Sequence, residues 1–394
     1  MNRIARILTT ALLLIPLGGC WSKKELNDRS FITSAYVDMG EKPGEVMLTV
    51  AAPLPNRLGS ATNPNASQST RAFTADTQSA ASLPEAMEKI QKDLTRKLNW
   101  GQTRAIVISA DYARQRGFKN ILEWAFRNPT LPLRTYVFIS EGQAKEVVGM
   151  TPVFEGAPSE VLREFGNRHF VGRATVKDLA VATAAGVGIA VPLLETGRKP
   201  LVSEGGKNSL WTGIAGSAMI QNMHMKDKLG VDETRVVSWT HGDLSEPIYD
   251  VLYEGGQFNF KLYRLKGSIR TGRPRGDEIP CTVEIRAEAT LESLQTRLDV
   301  SEAKQLHRLE QKINAALASD LRLALEKSQA AGADILEVGR HIEWRYPKSW
   351  DRMKTRWPQI YGKEVHFKVT ADIRITHLNA ENKPFWDIVE GEGQ

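Results

Sequence analysis

Seven histidines and two cysteines are the residues from which chemistry could be built in this chain, together with a few glycine-rich and serine-centred stretches. Met223-His224-Met225 offers sulfur and imidazole donors of the soft kind that suits copper, and His241-Gly242-Asp243 puts an imidazole two residues from a carboxylate. Neither stretch carries paired ligands at the spacing that closes a metal site. Met223 and Met225 read instead as the buried face of a strand, with His224 opposite. Gly186-Val187-Gly188 and Glu204-Gly205-Gly206-Lys207 resemble fragments of a phosphate loop. A phosphate cradle needs its full glycine spacing between a strand and a helix, and a P-loop needs Ser or Thr after the lysine, so both read as turn or close-packing glycines. Ser217 follows Gly216 but precedes Ala218-Met219, which does not complete a nucleophile elbow. Cys281 opens the alternating run Cys281 to Leu291 and reads as a small, inert, buried strand residue. Carboxylates are many, yet no two are set across a cleft by sequence alone. The expectation is a protein that is not an enzyme, with no cofactor and no metal.

Cys20 is different. Arg3 and Arg6 precede an apolar run of eleven residues from Ile7 to Leu17, followed by Gly18-Gly19-Cys20. This is a tripartite export signal, too short for the ~20 residues of a spanning helix. Leu17-Gly18-Gly19-Cys20 resembles the lipobox of bacterial lipoproteins, which predicts cleavage between Gly19 and Cys20 and a thioether-linked diacylglycerol on Cys20. Two acyl chains, palmitate among the usual ones, anchor a protein stably where one is marginal. The expected partner of Cys20 is therefore membrane lipid, on the outer face of a membrane. With Cys20 acylated only Cys281 remains, so no intramolecular disulfide can form and stability rests on the cores.

These features need positioning elements. At 41% hydrophobic and 25% charged residues the chain reads as folded globular protein, and 394 residues suggest two or three domains. Losing Arg3 and Arg6 lowers the net charge from +6 to +4. The remaining charges are dispersed, which does not imply nucleic acid. After a lipidated tether over 20–30, strands are predicted at 31–38 and 46–52 with a turn at Lys42-Pro43-Gly44-Glu45. An exposed loop is predicted at 53–69. Ser82 and Pro84 open a helix whose apolar stripe is Met87, Ile90, Leu94 and Leu98. Strands at 104–109 and 134–140 flank a helix at 120–128, and helical patterns lead to Gly186. Residues 31–200 thus read as an N-terminal mixed α/β domain. Residues 201–275 read as a middle, mostly β domain, with a turn near Asp227 to Gly230. Residues 276–394 read as a C-terminal antiparallel sheet packed on a long helix over 301–331, whose stripe is Leu306, Leu309, Ile313, Leu317, Leu321 and Leu325. The fold class is α+β or mixed α/β and multidomain. Trp344, Trp350 and Trp357 interleave with Lys and Arg, which reads either as gap-filling beside the long helix or as a docking face for headgroups or a membrane partner.

Several separated stretches resemble one family. Gly19-Cys20-Trp21, with Glu25-Leu26 after it, is similar to the opening of the Ger(x)C proteins, the lipoprotein C subunits of spore nutrient-germinant receptors. Leu98-Asn99-Trp100-Gly101 with the strand after it, and Glu123-Trp124-Ala125-Phe126-Arg127-Asn128, resemble that family's N-domain. Asp334 to Gly339, Tyr346 to Trp350, and Trp357 resemble its ending. Ser22 stands where the family often has Asp, and Val338 where an aromatic is common. The resemblance implies a non-enzymatic subunit of three mixed α/β domains, held on the outer leaflet of the spore inner membrane beside two polytopic subunits, A and B. It would be required for spore germination by supporting assembly or signal passage. The one residue carried over is Cys20. A substrate-binding lipoprotein of a transporter is the alternative, for which two similar lobes around a cleft would be expected.

Overall fold

Short, β-branched apolar runs in the first half pair with one another because neither face of such a strand tolerates water. The computed structural model of the protein describes residues 26–54, 72–168, 171–201, 206–242, 247–294 and 302–377. Along the chain come β1 (Arg29–Phe31), β2 (Ser34–Met39), β3 (Val46–Pro53), β4 (Phe73–Ala80), α1 (Leu83–Asp93), β5 (Lys97–Asn99), β6 (Ala105–Ser109), α2 (Ala110–Gln115), α3 (Lys119–Arg127) and β7 (Tyr136–Ser140). Then follow α4 (Ala144–Val147), α5 (Pro158–Arg168), α6 (Val176–Ala185), β8 (Ile189–Pro200), β9 (Asn208–Gln221), β10 (His224–Leu229) and α7 (Val231–Trp239). The last third holds β11 (Ile248–Tyr253), β12 (Gly256–Thr271), β13 (Ile279–Leu294), α8 (Ala303–Ala330), α9 (Val338–Arg345), α10 (Pro347–Met353), α11 (Trp357–Glu364) and β14 (Val365–His377).

The first large sheet runs β10-β9-β8-β7-β6-β2-β3-β4. Its centre, β2, β6 and β7, is parallel, and every residue of β6 is buried. Both faces must then be covered. Ile90 of α1, Ile121 of α3 and Leu179 of α6 pack on one face, and Val147 of α4 and Leu162 of α5 on the other. The predicted helix after Ser82 is α1, and the Glu85 N–H donates to the Ser82 hydroxyl at 3.4 Å. Leu98, read as the last residue of its stripe, instead lies in β5, which pairs in parallel with β1. The predicted loop at 53–69 falls mostly outside the described residues.

The second sheet runs β11-β12-β13-β14. Leu309, Ile313, Leu317, Leu321 and Leu325 of α8 are buried in one cluster with Val283, Ile285 and Ala289 of β13 and Ile373 and Ile375 of β14. That is the predicted helix on a sheet. The pairing differs in one respect: β14 runs parallel to β13, from Ile279↔Val365 to Ala289↔Ile375, and not antiparallel. The long helix and the three short helices after it return the chain to the end where β13 began, the kind of crossover that parallel neighbours require.

Residues 201–275, expected to form a middle domain, divide between the two sheets. β9 and β10 complete the first, while β11 and β12 begin the second. Alternation within a strand is set by local burial, whereas the sheet it joins depends on partners far along the chain. The hairpin turn also moves, to Asn222-Met223, both with positive φ, rather than near Asp227. The two bodies share one apolar cluster: Val187, Met219, Leu229 and Trp239 from the first half pack with Leu336, Val338, Trp350 and Trp357 from the second. At this seam Gly267 of β12 passes so close to the end of α7 that a Cβ there would stand 1.9 Å from the Thr240 carbonyl oxygen.

Candidate functional site

Gly19 and Cys20, the predicted cleavage and lipid-attachment residues, lie outside the described residues, as does the whole segment 1–25. What is described is where the tether arrives. Leu26–Asp28 form a 3-10 turn, β1 pairs with β5, and the Ile32 N–H donates to the Asn99 carbonyl at 2.9 Å. The tether is thereby stitched to the end of the first sheet where β2, β6 and β7 begin.

The histidine, cysteine, serine and glycine stretches are scattered through the fold. The Ser217 hydroxyl shares a buried 3.0 Å hydrogen bond with Thr234. Cys281 is buried on β13, and burial, with Asp334 nearby, pushes its thiol up to about 12, which keeps it protonated and unreactive. His224 Nδ1 lies 2.9 Å from the Asn222 carbonyl oxygen, and Met225 is buried. Met223 sits in the hairpin turn and not on the strand face expected for it. His241 is beside the Thr240 hydroxyl, and Asp243 is outside the described residues. Gly186 ends α6 in the left-handed conformation, and Gly206 sits in an open turn, the structural roles read for them. Among the described residues no three His, Cys, Asp or Glu side chains are grouped so as to hold a metal ion.

The side chains that do converge come from the stretch resembling the family's ending. Asp334 is completely buried at the seam between the two sheets. Its carboxylate accepts hydrogen bonds from the N–H groups of Val338 and Gly339, both at 2.8 Å, and from the Trp357 indole at 2.9 Å. It thereby caps α9, whose first backbone donors would otherwise be stranded. The Asp334 N–H donates to the Gln221 side-chain oxygen at 3.2 Å, and the Gln221 amide donates to the Gly186 carbonyl at 3.2 Å. One chain of hydrogen bonds thus runs from α6 and β9 of the first body to α9 and α11 of the second. No Cβ fits at two of its glycines. At Gly188 it would meet the Gln221 side chain and the Asp334 nitrogen within 2.9 Å, and at Gly339 the Trp350 ring and Val187 within 2.7 Å. Trp350 and Trp357 are buried edge-to-face at 5.1 Å, so these two indoles fill the seam. Trp344 stays 69% exposed with the Arg340 guanidinium over its ring. Sequence reasoning missed Asp334 as an organising residue. The signal available was a lone carboxylate inside the apolar run Ala333, Ile335 and Leu336, which burial makes expensive unless it is bonded.

Burial is the dominant influence on Asp334 and pushes its carboxyl up to about 6, the three donors pulling it only part of the way back. A carboxyl whose folded pKa lies above its unfolded value favours the fold below the unfolded pKa and loses that contribution as pH rises through the folded one. The stability difference between the wild type and Asp334→Asn is therefore expected to shift against the wild type by up to about 3 kcal/mol between roughly pH 4 and pH 6. Urea unfolding across that range is the measurement. A pH-independent difference would mean that Asp334 titrates in the ordinary carboxylate range.

The described residues thus form two mixed α/β bodies closed on one buried, hydrogen-bonded seam. Sequence comparisons place this build in a family. Residues 22–192 match the family model described as spore germination protein N-terminal domain, and residues 215–379 match the one described as spore germination B3/GerAC like, C-terminal. The chain belongs to this GerAC-like, or Ger(x)C, family of spore germination proteins. Its relatives in Bacillus subtilis strain 168 include putative spore germination protein YfkR, 23% identical with 92% of this chain and 94% of that protein covered. Spore germination protein KC is 21% identical over 95% of each chain. Spore germination protein B3 is 22% identical over 97% of this chain and its entire own length. The crystal structure of the GerBC protein superposes with a TM-score of 0.54, covering 86% of this chain and 97% of that one at 17% identity, which establishes the shared fold.

Proposed function

We propose that this chain is a non-catalytic, lipid-anchored subunit of a nutrient germinant receptor. In this reading Cys20 carries a diacylglycerol after cleavage behind Gly19, and the globular part is held on the outer face of the spore inner membrane. It acts by assembling with the receptor's polytopic A and B subunits. The observation that carries the reading is the match of both halves of the chain, in order, to the two spore germination family models. No helix among the described residues is long and apolar enough to cross a membrane. Confinement to two dimensions raises the local concentration of the folded part around membrane partners, which is how a subunit with no chemistry of its own contributes to a response.

Spores lacking the chain are expected to form normally and to lose the response to at least one nutrient, and the Cys20→Ala allele to reproduce that loss. Normal nutrient germination in the deletion, with impaired uptake of a small molecule by growing cells, would instead favour a transporter's binding protein.

A further inference from the structure

The tether fixes more than attachment. Leu26 is six residue steps beyond Cys20, and extended chain covers at most about 3.3–3.6 Å per residue, so Leu26 lies within about 22 Å of the anchor. A folded body of this size has a radius of gyration of about 20 Å and is more than twice as wide. The end of the first sheet at which the tether arrives must therefore lie near the bilayer, and the opposite end is out of reach of it.

That end is chemically distinct. Four segments meet there. Arg29 of β1 is paired with Lys97 of β5. The Thr103 hydroxyl donates to the Ile32 carbonyl at 3.0 Å, the Thr135 hydroxyl donates to the Thr103 carbonyl at 3.0 Å, and the Lys177 N–H donates to the Leu133 carbonyl at 3.0 Å. The C-terminal turn of α3 joins them through the edge-to-face contact of Trp124 with Trp100 at 4.8 Å. Exposed among these segments are Phe126, at 56%, and Leu133, at 41%. Arg29 and Lys97 face each other across β1 and β5, Arg96 precedes Lys97, Arg134 follows Leu133, and the Lys177 backbone holds Leu133. The carboxylates nearby are engaged, Glu160 with Arg104 and Arg163, Glu123 with Arg127, and Asp93 with the Gln78 amide. Arg96, Lys97 and Arg134 are exposed and make no ion pair among the described residues. Large apolar side chains ringed by cations are what the interface of an anionic membrane accepts, the rings and Leu entering the headgroup layer and the cations meeting phosphate.

We propose that this end of the first sheet, presenting Phe126 and Leu133 among Arg96, Lys97 and Arg134, rests on an anionic phospholipid surface and sets the orientation of the protein on the membrane. The proposal rests on the lipid-anchored reading of Cys20. Each basic residue near an anionic surface shifts the docked equilibrium about fivefold, so Arg96→Ser, Lys97→Ser and Arg134→Ser together are expected to weaken docking about a hundredfold.

The test uses the full lipidated chain reconstituted on phosphatidylglycerol or phosphatidylcholine vesicles, with one added cysteine carrying a fluorophore. Cys20 is acylated in that form and Cys281 is buried, so the added thiol is labelled selectively. Leu133→Cys and Phe126→Cys labels are expected to be quenched by spin-labelled lipid in phosphatidylglycerol vesicles. A label at Lys42→Cys, in the turn beyond the far end of β2, is expected not to be. The triple serine variant, shown by its melting curve to be folded, should float with the vesicles yet lose the quenching at residue 133. Equal quenching at residue 42, or none at residues 126 and 133 while the chain floats, would overturn the proposal and leave the anchor standing. Labels shielded only when partner membrane proteins are added would overturn it in favour of a protein interface. A chain that does not float at all would overturn both the anchor and the orientation.

Discussion

Asp334→Ala is expected to destabilise the protein by about 2–5 kcal/mol. The substitution leaves three buried donors, the Val338 and Gly339 N–H groups and the Trp357 indole, without an acceptor. Each stranded donor costs about 1–3 kcal/mol. The variant no longer carries the desolvation of the carboxylate itself, which offsets part of that loss. The effect should concentrate at the seam. Because the Asp334 N–H also donates to the Gln221 side-chain oxygen of β9, loss of the α9 cap loosens the second body from the first as well as destabilising it. Urea unfolding followed by tryptophan fluorescence reads the loss through Trp350 and Trp357, both buried within this cluster. A change under about 0.5 kcal/mol, the range of an ordinary surface substitution, would contradict the capping role.

Cys20→Ala is expected to remove the protein from the membrane fraction, an effect larger than any single interaction in the fold. Burial of acyl chain contributes about 0.8 kcal/mol per methylene, and two chains turn marginal attachment into stable attachment. The apolar run Ile7 to Leu17 is shorter than the ~20 residues that a spanning helix needs. Fractionation of membranes together with the intact mass of the protein gives the answer. Retention of Cys20→Ala on the membrane at the wild-type level would show that another element anchors the chain.

The elements legible in the sequence were those whose signal is local. The α8 stripe from Leu309 to Leu325 repeats at helical spacing because one face meets a sheet, and Ser82 with Pro84 marks the start of α1 because capping chemistry is local too. Leu98 was misplaced because its spacing from Leu94 continues a helical stripe, while its actual surroundings are β1, far away in sequence. The division of 201–275 between two sheets and the parallel pairing of β13 with β14 depend on crossovers, which periodicity does not encode. The seam lay between these cases. Asp334, Gly339, Trp350 and Trp357 stood out as a resemblance, and only the fold shows that they close on one another. That Cys281 would be a small buried strand residue followed from its alternating neighbours, and its position on β13 bears this out.

The central claim, a subunit that works by assembly on a membrane, is tested most directly by solubilising spore inner membranes in mild detergent, capturing the tagged chain and identifying what accompanies it. Two polytopic membrane proteins that co-purify with the wild type and are lost with Cys20→Ala are the predicted result. A transporter permease accompanied by its ATPase would contradict it and make the chain a binding protein.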